Sequence, residues 1–189
     1  MTVSPKLVLV GPMGAGKTTV GRRVAEAWGV GFRDTDLDIE ATEARSISDI
    51  FVDSGEARFR ELEREAVVAA LNGHDGVLAL GGGAVLDVRT RADLAGHRVV
   101  FLRVGLADAA KRVGLGVSRP LLLGNVRGRI KQLIDERTPV YESVATHVVD
   151  TDGLEVDEVA ARVTALLGSG LDPGLDPGLD PGLEDGAHA

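Results

Sequence analysis

The stretch Gly11-Pro12-Met13-Gly14-Ala15-Gly16-Lys17-Thr18 places glycine, lysine and threonine at the spacing G-x-x-x-x-G-K-[ST]. Glycines let successive backbone N–H groups converge on phosphate oxygens, and a helix opening at the lysine turns its positive end to the same point. The lysine ammonium of such a loop reaches β- and γ-phosphates, and the threonine hydroxyl is an oxygen ligand for Mg²⁺. With 25 Gly, 4 Lys and 17 Ser or Thr among 189 residues, chance alone would produce the pattern in roughly 0.6% of such chains. The chemistry expected here is binding of a nucleoside triphosphate.

Four further groups bear on what is done with it. Asp34-Thr35-Asp36 follows a short apolar run. If extended, it points two carboxylates the same way, one for Mg²⁺ and one for a substrate hydroxyl; the bland alternative is acidic capping of a helix. Arg58-Phe59-Arg60-Glu61-Leu62-Glu63 lies in a helical pattern and, taken alone, reads as a solvated charged face. Gly81-Gly82-Gly83 closes an apolar run. Three glycines carry an entropic cost that makes sense where a ligand approaches the backbone, at the carboxyl ends of parallel strands. Ser118-Arg119-Pro120-Leu121-Leu122 lies in a glycine-flanked loop, where an arginine on a flap would stabilise charge on a transferred phosphoryl group.

These groups need a frame. Residues 6–10, 30–33, 77–80, 99–103 and 147–150 read as strands. Helical patterns are expected over 17–28 (Val20, Val24, Ala27 and Trp28 forming the buried stripe), 37–44, 47–53, 56–72, 90–95, 106–113, 126–136, 139–144 and 155–167. Ser46 and Asp49 make a capping box, and Gly73 stands where a helix C-terminal glycine belongs. Apolar strands alternating with helices predict an α/β fold, a parallel sheet covered on both faces. Residues 114–125 read as a loop. From Gly170 the chain repeats Gly-Leu-Asp-Pro, and a proline every four residues excludes helix and ladder. A folded domain over 1–169 and a disordered tail over 170–189 are expected.

Composition removes several alternatives. The chain has no cysteine, so disulfides, thiolate nucleophiles and thiolate metal sites are excluded, which fits a reducing compartment. His74, His97, His147 and His188 show no metal-ligand spacing. The apolar run 7–10 is too short for a signal-peptide core or membrane span, so a cytoplasmic protein without membrane contact is expected. The net charge of −8 argues against nucleic acid as a partner. Asp172, Asp176, Asp180, Glu184 and Asp185 stand in the tail without Lys or Arg, leaving 24 acidic against 21 basic residues, a balance of −3, for the rest. A positive pocket from Lys17, Arg60, Arg112, Arg119 and Arg137 is expected within that mildly acidic frame.

No Asn-Lys-x-Asp base-reading segment of a GTP switch is present, since Asn72 and Asn125 are the only asparagines and neither precedes lysine. The chain is small for a motor or helicase. The ordered set GPMGAGKT, DTD, FRELE, GGGAV, SRPLL and ERTPVYESVA resembles shikimate kinase over about residues 5–167. The resemblance implies a P-loop kinase of the nucleoside-monophosphate-kinase type. Its fold is a three-layer αβα sandwich with a five-stranded parallel sheet, a helical substrate-binding region at about 34–64 and a mobile lid at about 114–125. The implied reaction is ATP-dependent phosphorylation of the shikimate 3-hydroxyl in chorismate and aromatic amino-acid synthesis, by a monomer with one Mg²⁺.

The resemblance also assigns residues. Gly14, Ala15, Gly16, Lys17, Thr18 and Thr19 hold the phosphates. Thr18 and Asp34 serve the magnesium site. Asp36 accepts from substrate hydroxyls and is the candidate base, with Lys17 and Arg119 as the other catalytic groups. Arg60 and Arg137 bind the substrate carboxylate. Gly81, Gly82 and Gly83, the middle one above all, offer backbone contacts to the ring, and Arg112 and Arg119 flank the nucleotide. Guanidinium forks suit a carboxylate, and aspartate suits hydroxyls. The tail has no counterpart in the family pattern, and residues 151–155, where part of the adenine pocket is expected, carry no signature. Gluconate kinase on the same fold, whose substrate also carries a carboxylate, and a non-catalytic nucleotide-binding module are the competing readings.

Overall fold

A computed structural model describes residues 3–113 and 125–168. The expected lid, apart from Asn125, Arg119 with it, and the repeat tail lie outside these residues. Five strands, β1 (Leu7–Val10), β2 (Phe32–Asp34), β3 (Val77–Ala79), β4 (Val99–Arg103) and β5 (His147–Asp150), form one sheet in the order β2-β3-β1-β4-β5. Every pairing is parallel. The helices are α1 (Lys17–Trp28), α2 (Thr35–Glu43), α3 (Ile47–Gly73), α4 (Val88–Asp93), α5 (Leu106–Val113), α6 (Val126–Val144) and α7 (Val156–Leu167).

The strands are apolar throughout because both faces are covered, and their two-residue period sorts side chains between two cores. Leu7 and Leu9 pack with Val24, Leu102 and Val163 on the α1/α7 side. Val8 and Val10 pack with Val67, Phe101 and Tyr141 on the α3/α6 side. A third cluster, Ile39, Ile50, Phe59 and Leu62, joins α2 to α3 away from the sheet. No helix among the described residues is long and apolar enough to cross a membrane.

The expected elements are present with informative shifts. β2 lies at Phe32–Asp34 rather than 30–33, and α2 opens at Thr35 rather than 37. On α1 it is Ala25, not Ala27, that is buried with Val20, Val24 and Trp28. Ser46 caps α3 as expected, accepting from Asp49 N–H. The break expected near 54–55 is a single non-helical residue, Gly55, at φ 81° and ψ 168°. The two helices expected over 126–144 are one, α6, with Pro139 inside. Pro139 removes one backbone donor from the helix ladder, yet packing of Ile130, Leu133 and Tyr141 into the cores holds the helix continuous. α4 begins two residues early, capped by the Asp87 carboxylate, and a 3₁₀ turn at Ala84–Leu86 was not foreseen.

Candidate active site

Parallel strands aim their carboxyl ends at one edge of the sheet, and the candidate residues that the structure describes gather there. β1 runs into the loop ending at Lys17. Gly14 and Gly16 hold φ of 79° and 90°, a left-handed conformation that L side chains rarely adopt. A side chain at Gly14 would also press on the Ala109 carbonyl of α5, 3.0 Å from the Cβ position. α1 starts with no side-chain cap and no acidic residue in its first turn. That leaves the N–H groups and positive end of the helix to an anion. Lys17 Nζ folds over the loop and donates to Gly11 O (2.8 Å) and Pro12 O (3.1 Å). Thr19 is exposed on the same first turn.

The hydroxyl of Thr18 donates to Asp34 Oδ2 at 2.6 Å. The other oxygen of Asp34 accepts from Asp36 N–H at 3.0 Å, capping α2. The acidic block thus caps α2, as the bland alternative expected, and the same Asp34 reaches Thr18 of the phosphate loop. Its two carboxylates are set by a strand-to-helix junction, not by the extended i, i+2 geometry expected from sequence. The Thr18–Asp34 pair is all oxygen, which suits Mg²⁺. The described residues contain no group of three or more His, Cys, Asp or Glu side chains poised around a metal. A two-ligand oxygen site completed by phosphate and water fits Mg²⁺ chemistry, since this ion seldom takes an all-protein cage.

The glycine run lies against the phosphate loop: a Cβ on Gly82 would stand 3.6 Å from Gly11 O and 3.7 Å from Met13 N. Gly81 and Gly83 make room for neighbouring side chains. A Cβ on Gly81 would fall 2.8 Å from Glu63 Oε1 and closer still to Asp36 Oδ1, and one on Gly83 would overlap the Arg60 guanidinium, 2.8 Å from its Cζ. The polar groups of Gly81 are engaged within the protein, its N–H with Thr35 Oγ1 (2.9 Å) and its carbonyl with Ala84 N–H (3.1 Å). The N–H groups of Gly82 and Gly83, by contrast, are engaged by no hydrogen bond among the described residues.

Arg60 donates to Glu63 at 2.6 Å and to Glu56 at 3.1 Å. Glu63 is 3% exposed. Burial pushes its carboxyl up, and the Arg60 and Arg137 guanidinium charges pull it back. Arg137, buried on α6, donates to Gly82 O at 3.3 Å. On the opposite flank Arg112 donates to Gly14 O (3.2 Å), Thr151 Oγ1 (3.1 Å) and Thr151 O (2.9 Å) and pairs with Asp108 at 3.6 Å. Arg60 and Arg112 each bear on a carboxylate, and Glu63 stands beside Arg137. Of the positive pocket expected from sequence, Arg119 lies outside the described residues, and the charges of Arg60 and Arg112 are part-neutralised by the acids that hold them.

Glu63, Thr35, Thr151 and Tyr141 belong to this constellation without having been singled out. Glu63 had a local signal, its i, i+3 spacing from Arg60, but the contacts of the other three cross the fold.

A five-stranded parallel sheet in this order, with a P-loop feeding α1 and an acidic strand end beside it, defines a small P-loop kinase of the nucleoside-monophosphate-kinase type. A deoxyadenosine kinase from M. mycoides shares that fold at 16% identity and a TM-score of 0.57. The sequence profile of the shikimate kinase family matches residues 13–167. A shikimate kinase of Salinispora arenicola is 59% identical over 167 residues, 88% of this chain and 100% of that protein. One of Thermobifida fusca is 58% identical over 160 residues, 85% of this chain and 93% of that one. The structure of shikimate kinase from Acinetobacter baumannii in complex with shikimate superposes with a TM-score of 0.83 at 34% identity, covering 90% of this chain and 97% of that one. The chain belongs to the shikimate kinase family.

Proposed function

We propose that this protein transfers the γ-phosphoryl group of ATP to the 3-hydroxyl of shikimate, giving shikimate 3-phosphate and ADP, a step of aromatic amino-acid biosynthesis. The observation that carries the reading is the junction at 34–36. Asp34 reaches back 2.6 Å to Thr18 of the phosphate loop, while Asp36, two residues on, lies against Gly81 beside that loop. One short segment therefore joins the phosphate site to a hydroxyl acceptor.

Phosphoryl transfer asks mainly for positioning and charge stabilisation. Gly14, Ala15, Gly16 and Lys17, with the opening turn of α1 at Thr18 and Thr19, cradle the phosphates, and Arg112 borders the nucleotide through Gly14 and Thr151. Thr18 and Asp34 would hold Mg²⁺, which when bound neutralises charge across the β- and γ-phosphates. Arg60 and Arg137 fork onto the substrate carboxylate, and Glu63 anchors Arg60. Asp36 accepts the proton of the attacking hydroxyl or fixes its orientation, and Arg119 approaches the transferred group from the lid. The domain carrying these residues spans 1–169 and works as a cytoplasmic monomer. The end of the family match at residue 167 supports a catalytic unit without the repeat segment.

A coupled assay tests the reading. ADP release should require both shikimate and Mg²⁺, with gluconate inactive; equal release with and without shikimate refutes it. Asp36→Asn should lower kcat by about 10²–10⁴-fold with little change in KM for ATP. A kcat within about twofold of the native value removes Asp36 from the chemistry.

A further inference from the structure

Tyr141 is fully buried, its ring stacked on Phe101 with centroids 5.1 Å apart. Its hydroxyl donates to the carbonyl of Gly82 at 2.5 Å. Arg137, one turn earlier on α6, donates to the same oxygen at 3.3 Å. Nothing in the reaction as derived uses this phenol.

The acceptor is the central peptide of a β-turn over residues 81–84, closed by Ala84 N–H on Gly81 O at 3.1 Å. Gly83, its third residue, has φ −101° and ψ −9°, the values of a type I turn. Rotating the peptide between Gly82 and Gly83 by half a turn gives a type II turn, which requires φ near +80° at the third position and therefore glycine. Glycine is there, so the local sequence leaves both turns open. The two differ in one respect that matters to a ligand. A trans peptide points its C=O and N–H in opposite directions. With Gly82 C=O turned to α6, the N–H of Gly83 points away from α6, from a residue in contact with the Arg60 guanidinium. In the other turn that N–H would face α6 and the carbonyl would replace it, presenting a partial negative charge to an anionic substrate.

We propose that the Tyr141 hydroxyl selects the type I form of this turn and so aims the Gly83 N–H at the substrate carboxylate, making Tyr141 a positioning residue. This rests on the reading of Arg60 and Arg137 as the carboxylate site. Burial keeps the phenol protonated up to about 12, so the donor persists across the working pH range.

Tyr141→Phe removes the hydroxyl and keeps the stacked ring. KM for shikimate should rise about fivefold, the equivalent of one ordinary hydrogen bond, with KM for ATP within about twofold. In chain labelled with ¹⁵N-glycine, the Gly83 amide resonance should move on adding shikimate to the native protein. In the variant it should start from a different position and respond less. An unchanged KM for shikimate in folded Tyr141→Phe overturns the proposal, as does an equal rise in both KM values. A native Gly83 resonance that ignores shikimate overturns it even if the variant fails to fold. Arg60→Lys run in parallel separates the two levels. If it raises KM for shikimate while Tyr141→Phe does not, only the Tyr141 assignment falls; if neither does, the carboxylate site itself is wrong.

Discussion

Adding one methyl group at Gly81 should disable the enzyme by displacing Asp36. A Cβ there would lie 2.8 Å from Glu63 Oε1 and nearer still to Asp36 Oδ1, whereas ordinary contact begins at 3.4 Å. Glu63 is buried and ion-paired with Arg60, and the Asp36 backbone is fixed by the α2 cap, so the Asp36 carboxylate itself has to give way. Restoring contact moves the Asp36 oxygen by about 1 Å, and an error of that size in a reacting group costs about 10²-fold in rate. Gly81→Ala should therefore lower kcat about 10²-fold, and overpacking should lower stability by about 1–3 kcal/mol. Gly82→Ala is the control. Its Cβ meets only ordinary contacts, 3.6 Å and beyond, so it should fold normally, and any loss of activity there reports contact with substrate. Thermal melts establish folding, and coupled ADP release at saturating ATP and shikimate gives kcat. A folded Gly81→Ala protein with kcat within about threefold of native would refute the inference that this carboxylate must stay where it is.

Other perturbations separate the remaining roles. Asp34→Asn keeps a helix-capping side chain but loses the charge beside Thr18, so the Mg²⁺ concentration for half-maximal velocity should rise about 10–100-fold with little change in melting temperature. Arg112→Met should raise KM for ATP roughly tenfold and leave that for shikimate alone, because its bonds run to Gly14 and Thr151. Glu63→Gln tests the buried acid through pH. Burial raises its folded pKa above the ordinary 4.5, so the stabilisation that this group provides is complete below the unfolded value and lost as pH rises through the folded one. The variant should lack that decline, gaining stability relative to the native chain from pH 4.5 upward, while its KM for shikimate rises; parallel melting curves would contradict this.

Much of the fold was legible because both of its signals are local. Runs such as Leu7–Val10 and Val99–Arg103 have no polar face, and a chain that alternates them with amphipathic helices has few ways to bury them. The phosphate loop was legible for the same reason: its glycines, Lys17 and Thr18 act within eight residues. What sequence does not show depends on distance. Gly81 and Gly83 read as room for an approaching ligand, and the structure adds a reason that sequence hides: Asp36, Glu63 and Arg60 crowd the same two positions. Tyr141 reads as an ordinary core aromatic until its hydroxyl is found on Gly82. The helices expected over 126–136 and 139–144 are one, α6, because the packing that carries the chain through Pro139 is not visible in sequence. The arginines were counted as charge, but their partners, Glu56, Glu63 and Asp108, determine how much of it a ligand meets.

The small α2/α3 cluster sets the two halves of the site on supports of unequal strength. The phosphate loop and Arg137 rest on the cores that flank the sheet, whereas Asp36 and Arg60 ride on the helices joined by Ile39, Ile50, Phe59 and Leu62. Gly55, with nothing within 4 Å of its Cβ position, interrupts the longer of these helices. A segment with less apolar burial opens at lower free energy than the rest of the molecule. On warming, this chain should therefore lose its grip on the acceptor while it still holds nucleotide, so heat would first convert the kinase into an ATP-binding protein without a second substrate.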